Sequence, residues 1–186
     1  EPAALRGLTL RNAETGVLCR GKDTSPLIEN CLITTNETGV RGENMPNPTI
    51  ADCLIEDNSG PGISQCAGVV RGSVIQKNGG VGIFECRSEV MTSEIRGNAG
   101  GGFLRQFGDV RSCLIVGNQG HGYALYEDRS EVMPSASYAK IVNCTIVGNS
   151  GDGVYLKGTN ESGGAHPVLR NCITAYNGGY GVYVWN

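Results

Sequence analysis

Aliphatic residues recur along the chain in short runs at spacing two, and each run is followed by an Asn and then a Gly. In the segment IVNCTIVGNSGDGVYL at 141–156, Ile141 comes three residues before Cys144, and Asn149 comes four before Gly153. Spacing of two inside β-branched runs is strand spacing, and the three-residue step from Ile141 to Cys144 indicates a bend between two short strands. No stretch carries a useful apolar stripe at helical spacing. The pattern therefore predicts coils of short strands joined by tight turns.

This unit recurs eight times, and its glycines set the period. Successive Gly positions are 23, 23, 20, 20, 20, 31 and 28 residues apart. Repeats of this length are typical of solenoids, in which each unit packs only on its neighbours. The Asn residues are Asn12, Asn36, Asn58, Asn78, Asn98, Asn118, Asn149 and Asn177, and their partners are Gly16, Gly39, Gly62, Gly82, Gly102, Gly122, Gly153 and Gly181.

A coil of this length cannot bury its own apolar face, but coils stacked at ~4.8 Å make a shared core and pair their backbones. Equivalent residues then form columns, and a column of amides can satisfy its own hydrogen bonds. The paired Gly needs either a positive φ or the absence of a Cβ. The first copy fits worst, because Leu10 looks one residue out of phase, as if its turn were shorter. We predict a buried ladder of Asn36, Asn58, Asn78, Asn98, Asn118, Asn149 and Asn177.

The eight cysteines fit the same frame. Ser73 and Ser93 stand where five other coils carry Cys, which indicates a small buried residue. Disulfides between neighbouring coils, Cys31 to Cys53 or Cys66 to Cys86, stay open as the alternative. The chain has no CxxC pair with a nearby His, so we expect no zinc site. The five cysteines of the shared position are Cys31, Cys53, Cys113, Cys144 and Cys172.

The repeat resembles the right-handed parallel β-helix repeats of the pectin-lyase-like superfamily, in segments such as 141–156 and LIENCLITTNETGV at 27–40. The resemblance implies an all-β fold: one domain over 1–186, a right-handed parallel β-helix solenoid of about eight coils. That superfamily contains lyases, epimerases and hydrolases of polysaccharides, and also surface proteins with no known reaction. Its members are mostly secreted, so the resemblance implies an extracellular or cell-surface location. A shared fold does not carry a shared function.

Charge and hydropathy exclude two classes of partner. A net charge of −3, from 15 basic and 18 acidic residues, leaves no basic stripe, so we expect no nucleic acid. No apolar run approaches the roughly 20 residues that span a bilayer, so we expect no membrane insertion. We also expect no cofactor. Because the chain stops in the middle of a coil, we expect it either to be a segment of a longer protein with neighbouring domains or to associate end to end.

One outward column carries candidate binding residues. The residue two after each Gly should face solvent, and from Phe84 onward this position predicts an exposed apolar and aromatic stripe, with Tyr126 and Trp185 nearby. Exposed aromatic side chains on a rigid face suit sugar rings or a protein partner. The alternative is that long loops cover this face. The column contains Leu18, Arg41, Ser64, Phe84, Leu104, Ala124, Tyr155 and Tyr183.

The two largest insertions, 127–138 and 157–166, leave successive coils at the same point of the repeat. They should project side by side, and paired loops on a rigid scaffold are common binding sites. The alternative is tolerated surface variation. The polar groups that such a site would use are Asp128, Arg129, Lys157 and His166.

The tripeptide GHG at 120–122 also occurs in polygalacturonases, but their other motifs, NTD, DD and RIK, are absent here. We therefore interpret His121 as a chance occupant of a variable position between two glycines. The preferred function is a non-catalytic scaffold or a module that binds glycan or protein. The alternative is a polysaccharide lyase, epimerase or hydrolase with its site at the 127–138 and 157–166 insertions.

Overall fold

The computed structural model describes residues 3–126, 139–157 and 167–185. These residues form 24 strands and no helix, and every strand pair among them is parallel. Each coil contributes one strand to each of three sheets, so a sheet contains every third strand. The β-branched runs and the strand spacing thus produce the all-β solenoid of eight coils that the repeat predicts.

The three sheets run the length of the trunk. Sheet 1 contains β1 (Ala4–Arg6), β4 (Leu27–Glu29), β7 (Thr49–Ala51), β10 (Val69–Arg71), β13 (Glu89–Met91), β16 (Val110–Arg111), β19 (Lys140–Val142) and β22 (Val168–Arg170). Sheet 2 contains β2 (Thr9–Arg11), β5 (Leu32–Thr34), β8 (Leu54–Glu56), β11 (Val74–Gln76), β14 (Glu94–Arg96), β17 (Leu114–Val116), β20 (Thr145–Val147) and β23 (Ile173–Ala175). Sheet 3 contains β3 (Thr15–Arg20), β6 (Thr38–Glu43), β9 (Ile63–Ser64), β12 (Ile83–Phe84), β15 (Phe103–Leu104), β18 (Tyr123–Tyr126), β21 (Val154–Lys157) and β24 (Val182–Trp185).

Two bends in each coil separate sheet 2 from its neighbours, and each uses one residue with left-handed backbone. Thr92, with φ of 48°, joins β13 to β14, and Lys77, with φ of 53°, follows β11. The same two positions have positive φ in all eight coils. The first bend is the one that the three-residue step predicts. The residues at the first bend are Gly7, Asn30, Asp52, Gly72, Thr92, Ser112, Asn143 and Asn171, and those at the second are Asn12, Thr35, Asp57, Lys77, Gly97, Gly117, Gly148 and Tyr176.

The core is made of columns that lie one above another. On sheet 2, Ile75 pairs with Ile55 below it and with Ile95 above it, and all three are fully buried. Sheet 1 repeats this pattern with Ile and Val, and sheet 3 continues it with Phe103 and Tyr123. Because equivalent apolar residues of neighbouring coils lie over one another, the core is continuous along the trunk.

The predicted Asn ladder is confirmed. In a typical rung, the backbone N–H and the Nδ2 of Asn78 both donate to Oδ1 of Asn98, at 3.1 and 2.9 Å. Nδ2 of Asn78 also donates to the carbonyl of Ile55, at 3.2 Å. Equivalent bonds between carboxamides run from Asn36 to Asn177. The ladder therefore satisfies a column of polar groups inside an apolar trunk.

The predicted ladder begins at Asn36, but the repeat aligned Asn12 with its members, and that alignment of the first copy is wrong. Its φ is 60°, and it occupies the second bend. Ala13 takes the ladder position and donates its N–H to Oδ1 of Asn36, at 3.1 Å. Leu10 pairs in register with Ile33, three residues before the ladder position in both coils. The step from Ala13 to Gly16 is three residues, as it is from Asn36 to Gly39, and it is four residues in the later coils.

The glycine beside the ladder is needed for space. Gly102 does not have a positive φ. A Cβ there would lie 2.4 Å from the carbonyl oxygen of Gly122 and 2.9 Å from Cγ2 of Ile115. Of the two alternatives, the absence of room for a Cβ is the one that holds.

All eight cysteines are free thiols. Sγ of Cys53 donates to the carbonyl of Ala51 at 3.2 Å, and Oγ of Ser73 makes the same bond to Arg71 at 3.0 Å. A hydroxyl can thus replace the thiol, which explains the alternation of Cys and Ser. Burial raises the pKa of Cys53 to about 11.

Candidate binding site

The outward column of sheet 3 is confirmed as a single file. Phe84 pairs with Leu104, Ala124 pairs with Tyr155, and Tyr155 pairs with Tyr183. The prediction that this stripe is exposed is wrong in degree, since Phe84, Leu104, Tyr155 and Tyr183 are half-buried and Ala124 is only 3% exposed. Side chains stacked one coil apart cover one another, and the small Ala124 lies between two larger neighbours.

The last three coils bring aromatic rings together at one end of this column. His121 stacks on Tyr155 with 4.6 Å between ring centroids and 24° between planes. Tyr155 stacks on Tyr183 at 5.2 Å and 2°. Tyr126 meets Tyr155 edge-on at 6.2 Å, and Tyr180 is tilted against Tyr183 at 5.6 Å. We call His121, Tyr126, Tyr155, Tyr180 and Tyr183 the aromatic cluster.

Stacking decides which part of each ring a ligand can reach. The coil of Tyr155 lies between those of His121 and Tyr183, so both faces of the Tyr155 ring are occupied. The cluster therefore presents the edge of Tyr155. Trp185 lies beside the cluster and is 53% exposed, with the Nζ of Lys157 over its ring at 4.7 Å from the centroid.

A polar column attaches the cluster to the trunk. The backbone N–H of Asp152 donates to Nδ1 of His121 at 3.0 Å, and the backbone N–H of Tyr180 donates to Oδ1 of Asp152 at 2.6 Å. Oδ2 of Asp152 also lies 3.2 Å from Nδ1 of His121. The interpretation of His121 as a chance occupant missed these contacts. The sequence did contain a signal. Three successive coils place the polar residues His121, Asp152 and Tyr180 at the position where earlier coils carry Pro61, Val81 and Gly101.

The comparison with protein families agrees with this geometry. The model for a right-handed β-helix region matches residues 4–105 and 86–186, which together cover nearly the whole chain. The chain belongs to the right-handed β-helix family. Neither the curated proteins nor the solved structures gave a significant match to this β-helix protein.

The β-helix frame brings together about half of the predicted binding residues. Tyr126, Tyr155 and Tyr183 lie in the aromatic cluster, and Lys157 and Trp185 lie beside it. The other predicted residues lie elsewhere: Phe84 and Leu104 are in the same column but separated from the cluster by Ala124, while Asp128, Arg129 and His166 lie outside the described residues.

Phe84 and Leu104 have a polar environment of their own. The residues that follow them, Glu85 and Arg105, form an ion pair of 2.8 Å between Oε1 and Nη1, largely covered on both sides. Nε2 of Gln65, one coil earlier, donates to the other carboxylate oxygen of Glu85 at 3.3 Å. These contacts connect side chains of three successive coils beside Phe84 and Leu104.

Within 3–126, 139–157 and 167–185, no three His, Cys, Asp or Glu side chains come close enough together to hold a metal ion. In the same ranges, no helix has the length and apolar character needed to cross a membrane.

Proposed function

We propose that this β-helix protein is a non-catalytic extracellular or cell-surface scaffold that binds a glycan at the aromatic cluster. The observation that carries the proposal is the convergence of Tyr126, Tyr155 and Tyr183 with Lys157 and Trp185 at one end of sheet 3. Aromatic rings that carry a polar group are suited to surfaces where one part of a ligand is apolar and another part is hydrated. A sugar combines these two properties in each ring.

The trunk supports this role by fixing the positions of the side chains. Tyr155 and Tyr183 stand on β21 and β24, which pair through four residues each, from Val154 with Val182 to Lys157 with Trp185. Sites on paired strands hold their side chains more closely than sites on loops. A preformed site loses less side-chain entropy on binding, so more of the contact energy appears as affinity.

A protein partner is the other class that an aromatic surface fits. The polar groups favour the glycan, because Lys157 and the tyrosine hydroxyls surround the rings with hydrogen-bonding groups. Protein interfaces are depleted in Lys at their centres, whereas here Lys157 lies directly over the exposed Trp185. A screen that includes both classes of partner decides between them.

The test uses Trp185 as an internal reporter, since it is the one Trp of the chain. We would titrate the protein with cellohexaose, xylohexaose and hexagalacturonate, follow Trp185 emission and calorimetric heat, and analyse each mixture for shortened products. We expect at least one probe to bind, with no product. Tyr183→Ala should weaken that binding by about 1 kcal/mol or more, roughly fivefold in Kd.

Leu18→Ala is the matched control. Leu18 belongs to the same outward column and is exposed, but it lies at the opposite end of the trunk. Its replacement should leave binding unchanged. Equal loss in Leu18→Ala and Tyr183→Ala, or no binding to any probe, would overturn the proposed site. Product release would instead support the polysaccharide-active alternative.

A further inference from the structure

His121 contacts the trunk through one nitrogen and the aromatic cluster through one ring face. The hydrogen bond from the Asp152 backbone N–H to Nδ1 is 3.0 Å long. A ring nitrogen that accepts a hydrogen bond carries no proton, so the proton of the neutral imidazole lies on Nε2. The backbone of the next coil therefore selects one tautomer of His121.

Residues of the trunk position the His121 ring. Asp152 is only 8% exposed, and its Oδ1 accepts the N–H of Tyr180. A Cβ at Gly151 would lie 2.9 Å from Nδ1 of His121, and a Cβ at Gly179 would lie 2.2 Å from Oδ1 of Asp152. Two glycines thus leave the space that the two side chains occupy. The orientation of His121 is set by this packing and not by solvent.

Protonation of the ring keeps the same outward group. In the imidazolium form, Nδ1 carries a proton that Oδ2 of Asp152, 3.2 Å away, can accept, and the hydrogen bond from the Asp152 backbone N–H is lost. Nε2 carries its proton in both forms. Among the residues that the structure describes, Asp152 is the acidic group against the ring, and its two oxygens face His121 and the backbone of Tyr180. Nε2–H is therefore a hydrogen-bond donor in either charge state.

We propose that His121 is a ligand-binding residue of the aromatic cluster, which donates its Nε2–H to an oxygen of the bound glycan. This inference rests on the proposed function. The His121 side chain is 35% exposed, and its ring lies against Tyr155 at the edge of the stack. Because the faces of Tyr155 are occupied, a ligand that approaches the stack meets polar edges. A fixed donor at such an edge discriminates among sugars by where their oxygens lie.

The tautomer can be measured without a ligand. Long-range ¹H–¹⁵N correlation spectra separate the two ring nitrogens, and the chain has two histidines, His121 and His166. His166→Gln removes one set of signals and assigns the other. We expect the neutral form of His121 to be protonated at Nε2. A proton on Nδ1 instead would overturn the inference.

Two substitutions separate the functions of the two nitrogens. In His121→Asn, the side-chain oxygen can replace Nδ1 as acceptor for Asp152, but the distal donor is lost. In His121→Gln, the side-chain nitrogen lies at the distance of Nε2 from the backbone and can still donate. We expect His121→Asn to weaken binding of the active probe about tenfold and His121→Gln to weaken it less than threefold.

The outcomes distinguish this inference from the proposed function. Unfolding midpoints of both variants would be measured first, so that a loss of fold is not read as a loss of contact. If His121→Asn and His121→Gln weaken binding equally while Tyr183→Ala also weakens it, the donor role is wrong and the glycan site stands. If wild-type protein binds none of cellohexaose, xylohexaose and hexagalacturonate, the proposed function fails, and the donor role fails with it.

Discussion

The Asn ladder predicts a large and position-dependent cost for removing one carboxamide from the middle of the trunk. Asn98 is 0% exposed. Its Nδ2 donates to Oδ1 of Asn118 at 3.0 Å and to the carbonyl of Ile75 at 3.1 Å. Its Oδ1 accepts the backbone N–H and the Nδ2 of Asn78, at 3.1 and 2.9 Å. Asn98→Ala deletes all four bonds at once.

The magnitude follows from the groups that lose their partners. The backbone N–H of Asn78 loses its acceptor, and one of the two hydrogens on Nδ2 of Asn78 does so too, while the other stays with the carbonyl of Ile55. Each buried N–H left unpaired costs about 1–3 kcal/mol. Oδ1 of Asn118 keeps one donor, the backbone N–H of Asn98 at 3.0 Å, so it adds little. We expect Asn98→Ala to lower the free energy of unfolding by about 2–6 kcal/mol, a large part of the total stability of an ordinary domain.

The last rung of the ladder supplies the matched control. Asn177 accepts the N–H and Nδ2 of Asn149, each at 3.0 Å, but Asn177 itself is half-buried. Water can replace its carboxamide, so we expect Asn177→Ala to cost only about 0.5–1.5 kcal/mol. The two variants remove the same atoms, and only their position in the ladder differs.

The measurement is equilibrium unfolding in guanidinium chloride, followed by far-ultraviolet circular dichroism and by Trp185 emission. Repeat proteins can unfold in parts, so coincidence of the two signals is required before a free energy is extracted. A cost for Asn98→Ala no greater than that for Asn177→Ala would refute the claim that burial of the ladder makes it stabilising.

Two other features of the trunk allow predictions of the same kind. Gly102→Ala should lower the free energy of unfolding by about 3 kcal/mol, because the new Cβ would lie 2.4 Å from a strand-paired carbonyl oxygen. Gly97→Ala should lower it by only about 1–2 kcal/mol, because Gly97 has a φ of 62° but no atom lies within 4 Å of the new Cβ. Equal denaturation midpoints for the two variants would contradict this. Burial raises the pKa of Cys53 from 9.0 to about 11, so the thiol stabilises the fold fully below pH 9 and loses that contribution as pH rises towards 11. Cys53→Ser should reduce the alkaline loss of stability between pH 9 and 11 by about 2–3 kcal/mol, and an unchanged pH slope would show that this thiol does not titrate as described.

The columns of the core could be predicted because each coil places one residue type in each position. Ile75, Ile95 and Ile115 are 20 residues apart and lie directly over one another. Because the repeat has a constant length in the middle coils, aligning the copies in sequence also gives the register of the strands. The Asn ladder was predictable for the same reason, since only an acceptor and donor in one side chain can continue it.

The first coil shows where this reasoning stops. Asn suits both a left-handed bend and a ladder rung, and Asn12 is at a bend while Ala13 takes the rung. Residue type cannot separate the two positions, and only the strand register does. The left-handed backbone of Thr92 and Lys77 could not be predicted either, because their side chains show no preference for positive φ.

At the site, the outward direction of each side chain was predictable and its exposure was not. Direction follows from alternation along the strand, but exposure depends on the size of the residues one coil above and below. The contact between His121 and Asp152 spans 31 residues. It requires knowing that the insertion after Tyr126 preserves the stacking, and no local pattern carries that information.

The stacking that builds the aromatic cluster also determines how it can select a ligand. His121 and Tyr183 cover the two faces of the Tyr155 ring, so a ligand would bury little further apolar surface there. What remains accessible on the stack is a set of edges with hydrogen-bonding groups at fixed heights, one coil apart. Apolar contact with Trp185 would then supply affinity for many sugars, while the polar edges discriminate among them. The distance between stacked coils therefore also sets the spacing of the polar groups that would contact the ligand.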